Sequence, residues 1–329
     1  MEYRTLGRTG LRVSELGFGC GNVGGLMVRG TPAERERAVA RALELGINYF
    51  DTAPLYGDGQ SEQHLGQAIR ALKAQVYVGT KVRLAPAALT EMPLAIARSL
   101  EASLGRLGLE RVDLLQLHNL VTVERRGGSV SGRDVLDTIV PALSKLVAQG
   151  KTRYYGITAL GDTAALHDVL DARVLDTAQV CYNLLNPSAG HAVPAGFPAH
   201  DFGRLLPRAR ECGTGAIVIR VMAAGALSGV DTRHPVAVPT VDPIASGPDY
   251  ATDVHRARML APLVDEGHVG SLVEAALRFP LATDAVSTVL LGYSSLEHLE
   301  YAAACMAKGP LPAATMARLS TLWAELVGT

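Results

Sequence analysis

Eight short apolar runs, separated by longer stretches with helical spacing, recur along the chain at intervals averaging roughly forty residues. The runs are Glu15–Phe18, Asn48–Asp51, Val76–Thr80, Asp113–Leu117, Tyr154–Thr158, Thr177–Val180, Ala216–Arg220 and Val286–Leu290. Between them, segments such as Pro32–Leu45, Ser61–Ala71, Thr90–Leu107 and Val135–Ala148 place apolar residues at i, i+3, i+4 and i+7. Gly46 and Gly150 stand where two of these helices should stop. Strand, helix, strand order favours parallel pairing through right-handed crossovers. Eight such units in 329 residues predict the α/β class and a closed (β/α)8 barrel, with residues 1–329 as one domain. The glycines at 7 and 10 mark a turn ahead of the first run and predict an N-terminal β-hairpin.

The alternative for such a pattern is an open, doubly wound sheet. That fold carries GxGxxG after its first strand, whereas Gly19-Cys20-Gly21-Asn22-Val23-Gly24-Gly25 has different spacing. Two irregular stretches, Asn186–Asp201 and Gly229–Tyr250, follow the sixth and seventh runs. Loops at the C-terminal ends of barrel strands surround the active site, so both are candidate covers, with plain surface insertion as the other reading.

Composition narrows the partners. With 48% hydrophobic and 19% charged residues and a formal net charge of -1, the chain can fill a large core but has no electrostatic footprint for nucleic acid. The expected partner is a small molecule. No segment approaches the length of a membrane span, and Met1–Leu11 lacks the apolar stretch of a secretory signal, so a cytoplasmic protein is expected. Cys20, Cys181, Cys212 and Cys305 are scattered, which predicts reduced, mostly buried thiols. His191, His200, His234 and His255 lack HxH or HExxH spacing, so no metal is expected and a metal-dependent hydrolase is disfavoured. Monomer and homo-oligomer both remain open.

Asp51 closes the second run and Tyr56 follows it in the next loop, Lys81 follows the third run, and His118 closes the fourth. In a barrel these strand ends converge. A phenol alone is a weak acid for protonating a developing alkoxide at neutral pH, and a nearby ammonium stabilises the phenolate. A buried lysine in turn needs a counter-charge, which Asp51 can supply, while His118 can hydrogen-bond a carbonyl. Singly, each has a structural reading: a helix N-cap, a packed rim tyrosine, a solvated strand end, a core histidine. On successive strand ends they favour a tuned acid/base. The set contains no hydride donor, so a cofactor must supply one.

These residues resemble the aldo-keto reductase family, and the resemblance extends through Tyr3-Arg4-Thr5-Leu6-Gly7-Arg8-Thr9-Gly10, Leu16-Gly17-Phe18-Gly19 and Tyr56-Gly57-Asp58-Gly59-Gln60-Ser61-Glu62. It implies a barrel binding NAD or NADP without a Rossmann domain, Tyr56 as proton donor, Lys81 and Asp51 as its modulators, and His118 as the substrate-orienting partner. Gln179 matches the glutamine that holds the nicotinamide carboxamide, with Thr158-Ala159 in place of the usual Ser-Asn pair and Ile219 in place of a stacking aromatic. The segment Arg220 to Leu227, including Gly225, is implied to follow the pyrophosphate. Gly292, Ser294, Ser295 and His298 fall on the adenosine-phosphate loop. A 2′-phosphate is commonly met by Arg or Lys near Ser294, and the absence of either here leans towards NAD or dual use, against a family leaning to NADP.

The stretches Gly19–Gly25 and Ser287–Gly292 look most like the aldose 1-dehydrogenases that oxidise fucose- or galactose-type sugars. This suggests a polar sugar substrate, with Asn119 either a hydrogen-bonding partner to it or a turn residue. A different class of function, a nicotinamide-binding sensor or regulatory subunit such as some relatives attached to potassium channels, is the alternative to an enzyme.

Overall fold

The computed structural model describes residues 1–329. Eight strands form a closed barrel: β1 (Leu16–Gly19), β2 (Tyr49–Asp51), β3 (Tyr77–Val82), β4 (Val112–Leu117), β5 (Thr152–Ala159), β6 (Thr177–Cys181), β7 (Gly215–Ile219) and β8 (Val286–Gly292). Each pairs in parallel with its neighbours, and β8 pairs with β1, so no edge is left open. Such strands are covered on both faces, which is why their sequences read as continuous apolar runs rather than as an alternation. The outer wall is packed by helices, among them Pro32–Glu44, Gln60–Leu72, Met92–Leu107, Thr163–Asp171 and Leu296–Met306.

One end of the barrel is plugged. Tyr3–Thr5 pairs antiparallel with Arg12–Ser14, and the hairpin carries Leu6, Leu11 and Val13 into a cluster with Tyr49, Leu114, Ile217 and Leu290. Gly7, at φ +48°, turns so close to β7 that a Cβ there would lie 2.2 Å from the Gly215 nitrogen. With the N-terminal end closed, the C-terminal strand ends are the ones free to present chemistry.

Several element boundaries differ from expectation. The predicted helix Thr90–Leu107 begins at Met92, after a separate 3-10 turn at Pro86–Thr90. The predicted helix Val135–Ala148 is two pieces, a π-helical turn over Val135–Ile139 and an α-helix over Val140–Ala148. Pro141 supplies no N–H and its ring crowds the carbonyl of residue 137, so the ladder widens there. Strand β3 runs on to Val82, placing Lys81 inside it, and β7 stops at Ile219, leaving Arg220 in the left-handed region at φ +60°.

The two long loops behave differently. Residues 229–250 reach from the end of β7 to the loop after β1: Val238 N donates to Val23 O (3.3 Å), and Arg29 Nε donates to Val236 O (2.7 Å). Arg233 braces this strap from within, donating to Ala224 O (2.7 Å) and Val238 O (2.6 Å). Residues 186–201 are instead tied down at the periphery. Asn186 Nδ2 donates to His200 O (2.8 Å) and Ala245 O (2.5 Å), and His191 packs among Tyr182, Phe279 and Trp323. Residues 186–201 are thus tied to the strap through Ala245 and to the outer wall through His191. No helix is long and apolar enough to cross a membrane.

Candidate active site

Strand register brings Asp51, Lys81 and His118 to one end of the barrel. Asp51 pairs with Gly79 across β2 and β3, and Lys81 pairs with Gln116 across β3 and β4. The Lys81 ammonium forms an ion pair with Asp51 Oδ1 and donates to Thr52 O (2.8 Å). Asp51 Oδ2 accepts from Gln179 Nε2 (2.7 Å) and from the Tyr49 hydroxyl (3.1 Å). Gly79 makes room for this, since a Cβ there would lie 2.6 Å from the Tyr49 oxygen. Sequence reasoning missed Tyr49. The signal was its position two residues before Asp51 on the same strand, which puts both side chains on one face.

Tyr56 sits in the loop after β2. Its ring centroid is 4.9 Å from Lys81 Nζ and 6.3 Å from the His118 ring, which it meets edge-on. The Ser61-Glu62 pair fixes that loop. Ser61 Oγ donates to Cys20 O (2.8 Å), Thr80 Oγ1 donates to Glu62 Oε1 (2.6 Å), and Arg106 Nε donates to Glu62 Oε2 (2.6 Å). The helix Gln60–Leu72 is thereby fastened to the ends of β1 and β3 immediately behind the phenol.

Burial disfavours the Lys81 ammonium, yet the adjacent Asp51 carboxylate and the Tyr56 phenol outweigh that cost and hold its pKa above the ordinary lysine value. Burial, followed by the charges of Lys81 and Arg83, pushes His118 down to about 3, so its ring is neutral at physiological pH. Its Nδ1 is buried without a partner. Burial and then the charge of Asp51 raise Tyr49, which stays a protonated donor.

A cavity of about 550 Å³ opens beside this cluster, between the ends of β7 and β8, the strap and the helix Leu296–Met306. Of the residues expected on the cofactor, Arg220, Gly225, Gly292, Ser294 and His298 line it. Thr158 and Gln179 lie on β5 and β6, with Thr158 Oγ1 donating to Gln179 Oε1 (3.3 Å) and Gln179 reaching Asp51. Leu227 is fully buried in the core, and the Ser295 side chain caps the helix by accepting from His298 N (3.3 Å). Neither lines the cavity. The hydroxyl of Ser294 is also occupied, donating to Gly24 O (2.7 Å).

Asn119 is corrected more firmly. Its Oδ1 accepts from Leu84 N (2.8 Å), and its Nδ2 donates to Leu84 O and Gly128 O (both 2.8 Å), so this buried amide staples two loops and has no donor left for a substrate. The strap residues Arg233 and His234 line the cavity, and His234 lies 5.6 Å, ring to ring, from His298. No local pattern announced them, because they arrive through a long irregular loop.

The groove carries positive charge beside an unusual backbone. Arg220, Ala223, Ala224 and Gly225 have φ of 60°, 45°, 59° and 110°, and the Ala223 and Gly225 amides donate to Arg220 O and Met222 O (both 2.8 Å). One guanidinium nitrogen of Arg220, Nη1, is buried without a partner. A buried cation left open in this way fits an anionic ligand. No group of three or more His, Cys, Asp or Glu side chains is arranged to hold a metal ion.

A site of this kind can give and take a proton but holds no acceptor for an electron pair, and beside it runs a groove suited to a dinucleotide. Those features define the barrel oxidoreductases that work with a bound nicotinamide. The chain belongs to the aldo/keto reductase family, whose sequence model matches residues 15–324. It is 30% identical over 308 residues to the L-galactose dehydrogenase of Arabidopsis thaliana, covering 91% of this chain and 86% of that protein. It is also 30% identical over 350 residues to the D-threo-aldose 1-dehydrogenase of a Pseudomonas species, covering 96% and 94%. Among solved structures, the holo form of aldo-keto reductase AKR11C1 from Bacillus halodurans superposes with a TM-score of 0.72 at 26% identity, covering 99% of this chain and 96% of that one. The chain is thus an oxidoreductase of a family that uses nicotinamide cofactors, with dehydrogenases of sugars among its relatives.

Proposed function

We propose that this enzyme oxidises an aldose at its anomeric carbon with NAD, using Tyr56 as the proton-transferring group. The observation that carries this reading is the Asp51–Lys81 ion pair buried beneath the Tyr56 ring, with a neutral His118 at its edge. Nicotinamide, when bound, accepts the hydride in oxidation and returns it in reduction. Tyr56 takes the proton of the anomeric hydroxyl as the C–H bond breaks, with the Lys81 ammonium set against its ring. Asp51 keeps Lys81 charged, and Tyr49 and Gln179 hold Asp51 in place. His118, as a neutral imidazole, donates a hydrogen bond to the substrate oxygen without adding charge. The sugar leaves as its lactone.

The choice of NAD rests on the groove. A 2′-phosphate is best met by a free guanidinium or ammonium. Here Arg233 and Arg29 are occupied by backbone carbonyls of the strap and the Asn22 turn, and Ser294 is occupied by Gly24. His298 is kept neutral by burial and then by His234. The test is a panel: NAD or NADP offered with aldoses, then NADH or NADPH with aldehydes and ketones, following the reduced nicotinamide by absorbance. Oxidation of aldoses with NAD ahead of NADP is expected. Activity confined to the reductive set refutes the direction, and NADP ahead of NAD refutes the cofactor.

A further inference from the structure

Lys81 is not the only cation that β3 delivers to the site. Its ladder with β4 pairs Lys81 with Gln116 and Val82 with Leu117, and the pairing continues past the strand end, where His118 N donates to Val82 O (2.8 Å). The Asn119 amide then grips both the N–H and the carbonyl of Leu84. The chain from Lys81 to Leu84 is therefore extended and in register, which sets Arg83 abreast of His118. Val82 and Leu84 are both buried in the outer core, so Arg83 between them points the opposite way, to the side that Lys81 and His118 share.

Arg83 makes no hydrogen bond and no ion pair within the chain, and it is exposed. Its charge is felt by His118, where it adds to the effects of burial and Lys81. The other cations nearby are accounted for: Lys81 is matched by Asp51, and Arg220 belongs to the cofactor groove. The mouth is flanked by exposed Leu55, next to Tyr56, and exposed Leu120, two residues past His118. An exposed guanidinium without a partner in the chain, on the face that carries Lys81 and His118, is suited to receive an anion.

We infer that Arg83 selects substrates carrying an anionic group, a carboxylate or a phosphate ester, on the sugar. The inference rests on the proposed reaction at Tyr56 and adds no step to it: the anomeric carbon is oxidised as before, and Arg83 binds a charged substituent of the same sugar.

The experiment reads binding apart from turnover. The NADH-loaded enzyme is titrated with galactose, galacturonate and galactose 6-phosphate, following bound-cofactor fluorescence. At least one anionic sugar should bind about tenfold more tightly than galactose, the size of one charge-assisted hydrogen bond. The carboxylate and phosphate arms show which anion is preferred. Arg83→Gln should abolish the preference and Arg83→Lys should retain part of it. Equal affinities for all three sugars, or a preference that survives Arg83→Gln, overturn the inference. Oxidation rates run in parallel separate the two claims. Turnover of galactose without any anion preference removes Arg83's role and leaves the reaction, whereas Arg83-dependent anion binding without turnover of any sugar removes the reaction and leaves Arg83's role.

Discussion

Asp51 and Arg220 are both charged side chains at the C-terminal ends of barrel strands, and their surroundings are opposites. Asp51 is almost fully buried and accepts from Lys81, Tyr49 and Gln179. Arg220 stands just past β7 in left-handed backbone with a buried nitrogen that nothing in the chain satisfies. The difference separates two halves of the site. Within the proton-transfer half the Asp51–Lys81 pair is held on strands with its partners in place before any ligand arrives, which is what preorganised electrostatics requires, while Tyr56 is brought in by the loop after β2. The groove half combines the end of β8, helix residues and long loops, and leaves Arg220 Nη1 without a partner in the chain.

Removing Lys81 breaks the first half most severely. Lys81→Met leaves the Asp51 carboxylate buried without its counter-charge, a loss of about 3–5 kcal/mol in chemical denaturation for such pairs. Turnover in the protein that still folds should fall on the order of a thousandfold. A stable, active Lys81→Met enzyme would mean that the pair is not what orders this end. In the groove half the corresponding change is smaller and of another kind. Arg233 braces the strap through two backbone carbonyls and lies over Tyr250, with 5.2 Å from guanidinium to ring centroid. Arg233→Met should raise the cofactor dissociation constant about tenfold, with the rate at saturating cofactor changing far less. An equal loss in both would join the two halves that the structure separates.

Acid provides a third test. His118 titrates in the unfolded chain near its ordinary value of about 6.5, and in the folded protein only at about 3. Between those values the unfolded state binds the additional proton, so stability falls as pH drops through that window, by up to about 1.4 kcal/mol per unit from this group. His118→Asn should flatten that part of the stability curve measured by urea unfolding. An unchanged slope would mean that the ring is not held neutral.

Legibility in the sequence follows the same division. Strand-borne features are set by short-range pattern: apolar runs located β1 to β8 to within a few residues, and a charged residue at the end of a run was readable as a site residue. The small errors there, such as Lys81 falling inside β3, arise because strand ends are set by hydrogen bonding rather than by hydrophobicity. Loop-borne features depend on long-range contacts that no local pattern encodes. Ser294 lines the groove as expected but donates its hydroxyl to Gly24, and Asn119, readable as a substrate contact or a turn residue, spends its amide on Leu84 and Gly128. The strap was readable as a candidate cover, but nothing local marked its Arg233 and His234 as lining the groove. The kink at Val135–Ile139 lies between these cases, since Pro141 was visible but the π-turn that relieves it is a choice of backbone.

The central claim is that Tyr56 moves the proton and does little to hold the cofactor. Tyr56→Phe removes one hydroxyl, so the decisive measurement is NAD-dependent oxidation of the best aldose by wild type and variant, with the cofactor dissociation constant of each determined on the same preparations. The account predicts a rate at least about a hundredfold lower, with cofactor affinity unchanged. A variant that turns over at the wild-type rate would contradict it.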